Sequence, residues 1–343
     1  MKHFLRILLG KVLPASLRRR LGLLKNSAEA GLCKIPVLGQ AHWSSKVKTI
    51  EQTPFQVNIE VTSICNAKCI MCPRHLMDRK MQVMPWDLFT KVILESKEIG
   101  VNRFALNGYG EIFTAKKDYK KYINYLFEHI PHARVIINSN GSLLDDDAAR
   151  FIIEKGVDTV HCDIDGATKE TFEIVREKLN FDDVVKNIRN LVKVRNELGK
   201  SFPKVRVGMI AQKENQHELQ AHHDMWTGIA DYVQSDYMVS RAGTIETFHG
   251  NIDVDRPCSL IWFEMNIYTN GEVVLCCDDW NNKEVMGNIL NETIVEVWKG
   301  KKFNDYRKKH QEGKACEISL CAKCDFARPG PDWFQARRYS NAS

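Results

Sequence analysis

From residue 55 onward, short apolar runs of strand length alternate with longer stretches whose apolar positions recur at helical spacing. The strand-like runs are Gln56–Thr62, Arg103–Asn107, Arg134–Asn138, Thr159–Asp165, Lys204–Ala211 and Asp231–Tyr237. The helical stretches lie at 86–99, 117–130, 145–155, 168–199 and 215–227, and 168–199 reads as two helices broken near Asn180. Two starts carry signals. Asp145-Asp146-Asp147 place negative charge at a helix N-terminus, and Asn215 with Glu218 has the spacing of a capping box. Six strand–helix repeats predict an α/β fold with a parallel sheet and crossover helices. In such folds the chemistry sits on loops leaving the C-terminal ends of the strands.

The rhythm stops near residue 245. Beyond it, Asn270-Gly271 between Met265–Tyr268 and Val273–Leu275 predicts a hairpin, and one helical stretch follows near 292–311. The tail 327–343 reads as irregular. At the other end, residues 1–25 carry seven Lys or Arg and no acid, with Phe4, Leu5, Leu8, Leu9 and Val12 at helical spacing. Such a helix packs on the body with its cations in solvent, or lies on an anionic membrane surface. Packing is the expectation, and a peripheral membrane contact stays open. Residues 26–54 form an irregular lead-in.

Composition adds one decisive feature. The net charge of +6 is spread out, and no basic stripe interleaves with aromatics, which argues against nucleic acid. Eleven cysteines exceed what a core needs. Three fall at 65–72 and six at 258–324, and only Cys33 and Cys162 stand alone. No export signal precedes them, because Arg6 and Lys11 interrupt the first apolar stretch. The chain reads as cytoplasmic, and clustered cysteines then point to metal, not disulfides.

Cys65-Asn-Ala-Lys-Cys69-Ile-Met-Cys72 follows the first strand directly. Thiolates are soft ligands suited to iron–sulfur clusters. Three on one short loop can hold three corners of a four-iron cube and leave one iron open to a small molecule. Spacing alone also admits zinc. The spacing and its place after the first strand resemble the radical S-adenosylmethionine (SAM) superfamily. That resemblance implies a partial (β/α)6 TIM-type barrel over 55–245. It also implies a [4Fe–4S] cluster on Cys65, Cys69 and Cys72 whose open iron binds SAM. Reductive cleavage of SAM then gives a 5′-deoxyadenosyl radical that abstracts hydrogen from substrate. Met71 stands where the family commonly has an aromatic residue.

Features at successive strand ends extend the resemblance. Asn107-Gly108-Tyr109-Gly110-Glu111 is similar to the family's Gly-Gly-Glu-Pro turn, with Tyr109 and Ile112 departing from it. The resemblance assigns Gly110 and Glu111 to the SAM ammonium. Ser139-Asn140-Gly141 is similar to the family's Thr-Asn-Gly. Asp163, where the family usually has Ser, and Arg176 in the next helix fall at positions used near the SAM ribose and carboxylate. Each alone has a bland reading as a turn or a solvent-facing charge.

The remaining clustered cysteines resemble the C-terminal extension called SPASM, or its shorter form, twitch, over 246–326. By position Cys258, Cys276, Cys321 and Cys324 match the four that hold an auxiliary [4Fe–4S] cluster, and Cys277 and Cys316 are extras. Cys277, beside Cys276 on a strand, should face the opposite way. A zinc ribbon is the alternative for this half alone. Two clusters and SAM imply a radical SAM oxidoreductase that dehydrogenates its substrate, a sugar or other small polar molecule, and draws electrons from a flavodoxin- or ferredoxin-like reductant. Peptide or protein maturation and non-catalytic electron transfer are the other readings. On the sixth strand and beyond it, Asp236 is the expected base, given burial to raise its pKa, and Arg241 the substrate-holding cation. The bland alternative pairs the two with each other or leaves them in solvent.

Overall fold

The structure is a computed structural model that describes residues 52–245 and 258–325. The N-terminal basic helix and the tail expected at 327–343 lie outside the described residues.

The first half builds in the predicted rhythm: β1 (Gln56–Ile59), β2 (Lys68–Cys69), α1 (Trp86–Glu98), β3 (Arg103–Leu106), α2 (Lys117–His129), β4 (Arg134–Ser139), α3 (Asp146–Lys155) and β5 (Thr159–Asp163). It continues through α4 (Lys169–Val175), β6 (Arg176–Glu177), α5 (Phe181–Glu197), β7 (Lys204–Ala211), α6 (Leu219–Trp226) and β8 (Tyr232–Tyr237). Strands β1, β3, β4, β5, β7 and β8 lie side by side, all parallel. Their residues alternate in destination. One parity, including Phe104, Val135, Ile137, Val160 and Val207, is fully buried under the helices. The other parity, including Asn107, Asn138, His161 and Arg206, lines a cavity of about 1340 Å³.

Caps decide several helix boundaries. Asp145 accepts the Ala148 amide at 2.9 Å, as its acidic run predicts. The break near Asn180 is real, with Asn180 accepting the Asp183 amide at 3.0 Å. Asn215 and Glu218 form no capping box. Asn215 instead bonds the carbonyls of Asp165 and Ile210, while Glu218 accepts from Thr168 and Thr171. Their side chains are taken by the neighbouring loop, so a short 3-10 turn, Gln216–Glu218, leads into α6.

The second half is α7 (Leu260–Phe263), β9 (Glu264–Ile267), β10 (Glu272–Val274), β11 (Val285–Asn288), α8 (Ile294–Trp298), α9 (Lys301–Gln311) and α10 (Ser319–Ala322). The Asn270-Gly271 hairpin forms between β9 and β10, with Gly271 at φ +83°, a conformation open to glycine. The helical stretch near 292–311 is two helices, because the chain turns at Lys299-Gly300. Strand β9 pairs in parallel with β1, Gln56 opposite Glu264. One nine-stranded sheet therefore runs through both halves. No helix among the described residues is long and apolar enough to cross a membrane.

Candidate functional site

The loop after β1 carries Cys65, Cys69 and Cys72, each partly exposed, and the described cysteines form no disulfide. Cys69 sits in β2, which pairs with β6 so that Cys69 lies opposite Arg176. Burial pushes the Cys69 thiol up to about 11, with the Arg176 charge opposing it. Burial also raises the Cys65 thiol. Asn140 Nδ2 lies 4.0 Å from Cys65 Sγ and donates to Asn66 at 2.9 Å, steadying the loop.

Beside this loop, β3 ends in the turn that presents Glu111, whose carboxylate is buried. It accepts from the Asn140 amide at 2.6 Å, from Ser139 Oγ at 2.9 Å and from the Phe113 amide at 3.4 Å. Burial still pushes it up to about 7. Gly110 makes the turn possible. A Cβ there would stand 2.1 Å from the Thr62 carbonyl oxygen.

Asp163 lines the cavity, 2.9 Å from His161 Nε2 and 3.8 Å from Arg176. Burial works to raise its carboxyl, but His161, Arg176 and Arg206 outweigh that and hold it well below the usual carboxylate range. Arg176 lies just past α4, in β6, not within the helix, and its Nε donates to Asp165 at 2.6 Å. Asp165 stands two positions past Asp163, just beyond the end of β5, and is fully buried. The structure thus brings Gly110, Glu111, Ser139, Asp163 and Arg176 around the first cysteine loop.

Two expectations for the substrate side change. Asp236 lines the cavity but is exposed and accepts from Gln234, so the burial expected of it is not there. Arg241 pairs with Asp278 at 2.7 Å and not with Asp236. Ser240 beside it is held by Asp325 of the second half, its amide donating at 2.8 Å, which brings Arg241 near Asp278.

In the second half, Cys276 and Cys277 lie in the bend after β10, not within a strand. Cys277 lines the cavity, yet both cysteines lie close enough to Cys258 to act on each other's and its thiol charge, with Cys276 near Cys321 as well. Cys321 and Cys324 share one turn, the Cys324 amide donating to the Cys321 carbonyl at 3.2 Å. Cys316 is exposed and apart. Among the described residues no three His, Cys, Asp or Glu side chains converge on a single metal ion. A cubane offers a separate iron to each thiolate, so its ligands stand apart. Both thiol sets fit that kind of group by chemistry and placement.

Sequence reasoning missed the groups joining the halves. Glu60, fully buried, takes both guanidinium nitrogens of Arg79, one at 2.6 Å, and the Tyr109 amide at 3.0 Å. Arg79 Nε reaches the Trp280 carbonyl at 2.9 Å and its guanidinium lies 4.2 Å from the Tyr268 ring centre. Tyr109 Oη donates to the Cys277 carbonyl at 2.7 Å. These are lone residues with no spacing pattern to announce them.

Comparison with known proteins agrees with this layout. Residues 59–225 match the family described as the radical SAM superfamily, and residues 258–325 match SPASM, an iron–sulfur cluster-binding domain. The S-adenosyl-L-methionine-dependent 2-deoxy-scyllo-inosamine dehydrogenase of Niallia circulans is 24% identical over 271 residues, 78% of this chain and 92% of that protein. A crystal structure of BtrN in complex with AdoMet and 2-DOIA superposes with a TM-score of 0.56 at 22% identity, covering 80% of this chain and 94% of that one. Streptococcus suis SuiB bound to precursor peptide SuiA superposes with a TM-score of 0.62 at 14% identity, covering 88% of this chain and 80% of that one.

Proposed function

The chain belongs to the radical SAM superfamily and carries a SPASM domain, and from that premise we propose that it dehydrogenates a small polyhydroxylated substrate held in the cavity between its two halves. The observation that carries this reading is the cavity itself. Most of the strand positions on its wall are polar, with Ala105 and Ile136 among the exceptions, and it is bordered by Glu60 and Asp163 on one side and by Cys277 and Tyr268 on the other. A sugar or aminocyclitol needs many short hydrogen-bonding partners around an uncharged ring, and Asn58, Asn138, His161, Tyr232 and Asn266 offer them. The Niallia relative, named a dehydrogenase of 2-deoxy-scyllo-inosamine, is of the same class.

In this reading Cys65, Cys69 and Cys72 hold the cluster that binds SAM. Glu111 and the Gly110 turn receive its ammonium, and Asp163 and Arg176 border its ribose and carboxylate. Cys258, Cys276, Cys321 and Cys324 hold the auxiliary cluster. When bound, these groups supply a 5′-deoxyadenosyl radical that takes one hydrogen atom and an acceptor for one electron, so that with loss of the hydroxyl proton an alcohol carbon becomes a carbonyl. The chain's own residues orient the substrate and take that proton. Arg241, fixed by Asp278, presents donors to a substrate oxygen at the seam between the halves. Asp236 faces the cavity with solvent access and can pass a proton outward. Reducing equivalents come from a flavodoxin- or ferredoxin-like donor.

The test is anaerobic reconstitution followed by incubation with SAM, reductant and a panel of polyols, aminocyclitols and peptides. A polyol or aminocyclitol that loses two hydrogens with matching release of 5′-deoxyadenosine supports the reading. Modification of peptides alone replaces it with the maturase reading, and absence of deoxyadenosine overturns both. Asp236→Asn and Arg241→Ala, each with full iron, are expected to lower turnover while uncoupled SAM cleavage persists.

A further inference from the structure

His310 lies between two of the cysteines assigned to the auxiliary cluster and has no part in the chemistry above. It sits near the end of α9 and is 1% exposed. The Cys258 amide approaches its Nδ1 at 3.3 Å, and its Nε2 stands 3.5 Å from Cys321 Sγ. A backbone N–H can only donate, so Nδ1 is the acceptor and carries no proton. The single proton of the neutral ring is therefore on Nε2, aimed at the Cys321 sulfur. The Trp262 ring packs edge-on against the imidazole with centroids 6.1 Å apart, which fixes the ring plane.

We infer that His310 is a positioning residue for the auxiliary cluster, donating an N–H···S hydrogen bond to the Cys321 thiolate that raises the cluster's reduction potential. The inference rests on the assignment of Cys258 and Cys321 as ligands. The physical chain is short. A cluster gains negative charge on reduction, and a donor at a ligand sulfur stabilises that charge. Burial keeps water from supplying the same bond. The main chain of one ligand sets the tautomer, and the tautomer directs the donor at another ligand, as outer partners commonly orient metal-bound groups. A raised potential suits a cluster that receives an electron from substrate.

The test compares the reconstituted full-length chain with His310→Phe and His310→Gln. Iron is counted, and the auxiliary-cluster potential is read by EPR-monitored redox titration, with a Cys65/Cys69/Cys72→Ala chain identifying which signal belongs to it. Phenylalanine fills the space without the donor, and glutamine can accept from Cys258 and donate to Cys321. The phenylalanine variant is expected to hold full iron and to accept an electron at least tenfold less favourably, a downward shift of about 59 mV. The glutamine variant should restore most of it. Full iron with an unchanged potential in the phenylalanine variant overturns the inference. If that variant fails to retain the cluster, the glutamine variant decides: wild-type potential supports donation and a lowered one overturns it. Loss of iron from both overturns it as well, since His310 then serves the fold and not the potential. Failure of the underlying assignment looks different: Cys258→Ala or Cys321→Ala would retain the second cluster unchanged.

Discussion

Glu111 is a carboxylate held in readiness for a cation. Three donors from the chain face it, yet burial dominates and pushes it up to about 7. Oε1 already accepts from both Ser139 and Phe113, and Oε2, which takes the Asn140 amide, keeps a lone pair for one more partner. At pH 6 the unliganded group is mostly protonated, and an ammonium beside it favours the ionised form. Binding of SAM near pH 6 is therefore expected to release about one proton in wild type and none from this site in Glu111→Gln, and affinity should rise as pH climbs toward 7. Isothermal titration in two buffers of different ionisation enthalpy measures it, and equal proton release by both proteins would remove Glu111 from the ammonium site. Gly110 supplies a companion test. A Cβ would sit 2.1 Å from the Thr62 carbonyl oxygen and 2.8 Å from that of Ile64, main-chain atoms that a rotamer change cannot move. Gly110→Ala should abolish SAM binding while the second cluster's four or so irons remain, as iron counting and equilibrium binding would register.

Among elements, the two-residue ribbon of β2 and β6 ties the first cysteine loop to Arg176 and through it to Asp165. Asp165 is fully buried, so Arg176→Ala leaves it the Ile210 amide but no cation, beside a second carboxylate at Asp163. Loss of about 3–5 kcal/mol is expected, read as a lower urea midpoint. A midpoint within error of wild type would mean that water or another cation replaces Arg176. This ribbon also marks where sequence reading runs out. The βα rhythm, the loop after β1 and the Asn270-Gly271 hairpin are local patterns, and the structure bears them out. The pairing of Cys69 with Arg176 spans more than a hundred residues and leaves no periodic trace. Asn215 and Glu218 mislead for a related reason: their side chains suit a cap, but the Asp165 carbonyl and the hydroxyls of Thr168 and Thr171 compete for the same hydrogen bonds and win. The assignments of ligand and SAM-binding residues follow from family resemblance.

At the scale of the molecule, the two halves share a sheet through β1 and β9, and a short set of polar contacts locks the cavity roof across that seam. Arg79 is the centre of the lock. It follows the first cysteine loop, neutralises the buried Glu60, stacks on Tyr268 and holds the Trp280 carbonyl. Asp78 next to it accepts from Asn281, and Tyr109 reaches the Cys277 carbonyl. Dehydrogenation needs the substrate within reach of the first cluster's radical and of the second cluster's electron-accepting face, and this contact set fixes the one relative to the other. Arg79→Ala strands the Glu60 carboxylate with the Tyr109 amide still donating to it. The expected cost is about 3–5 kcal/mol, with about eight irons still bound after reconstitution. The more telling readout is coupling. The variant should form 5′-deoxyadenosine at a rate near wild type and convert a smaller share of it into oxidised product. Arg79→Lys, which keeps the charge but not the two-nitrogen grip, should fall between. Unaltered stability together with unaltered product per deoxyadenosine in Arg79→Ala would show that the shared sheet alone holds the two halves in register.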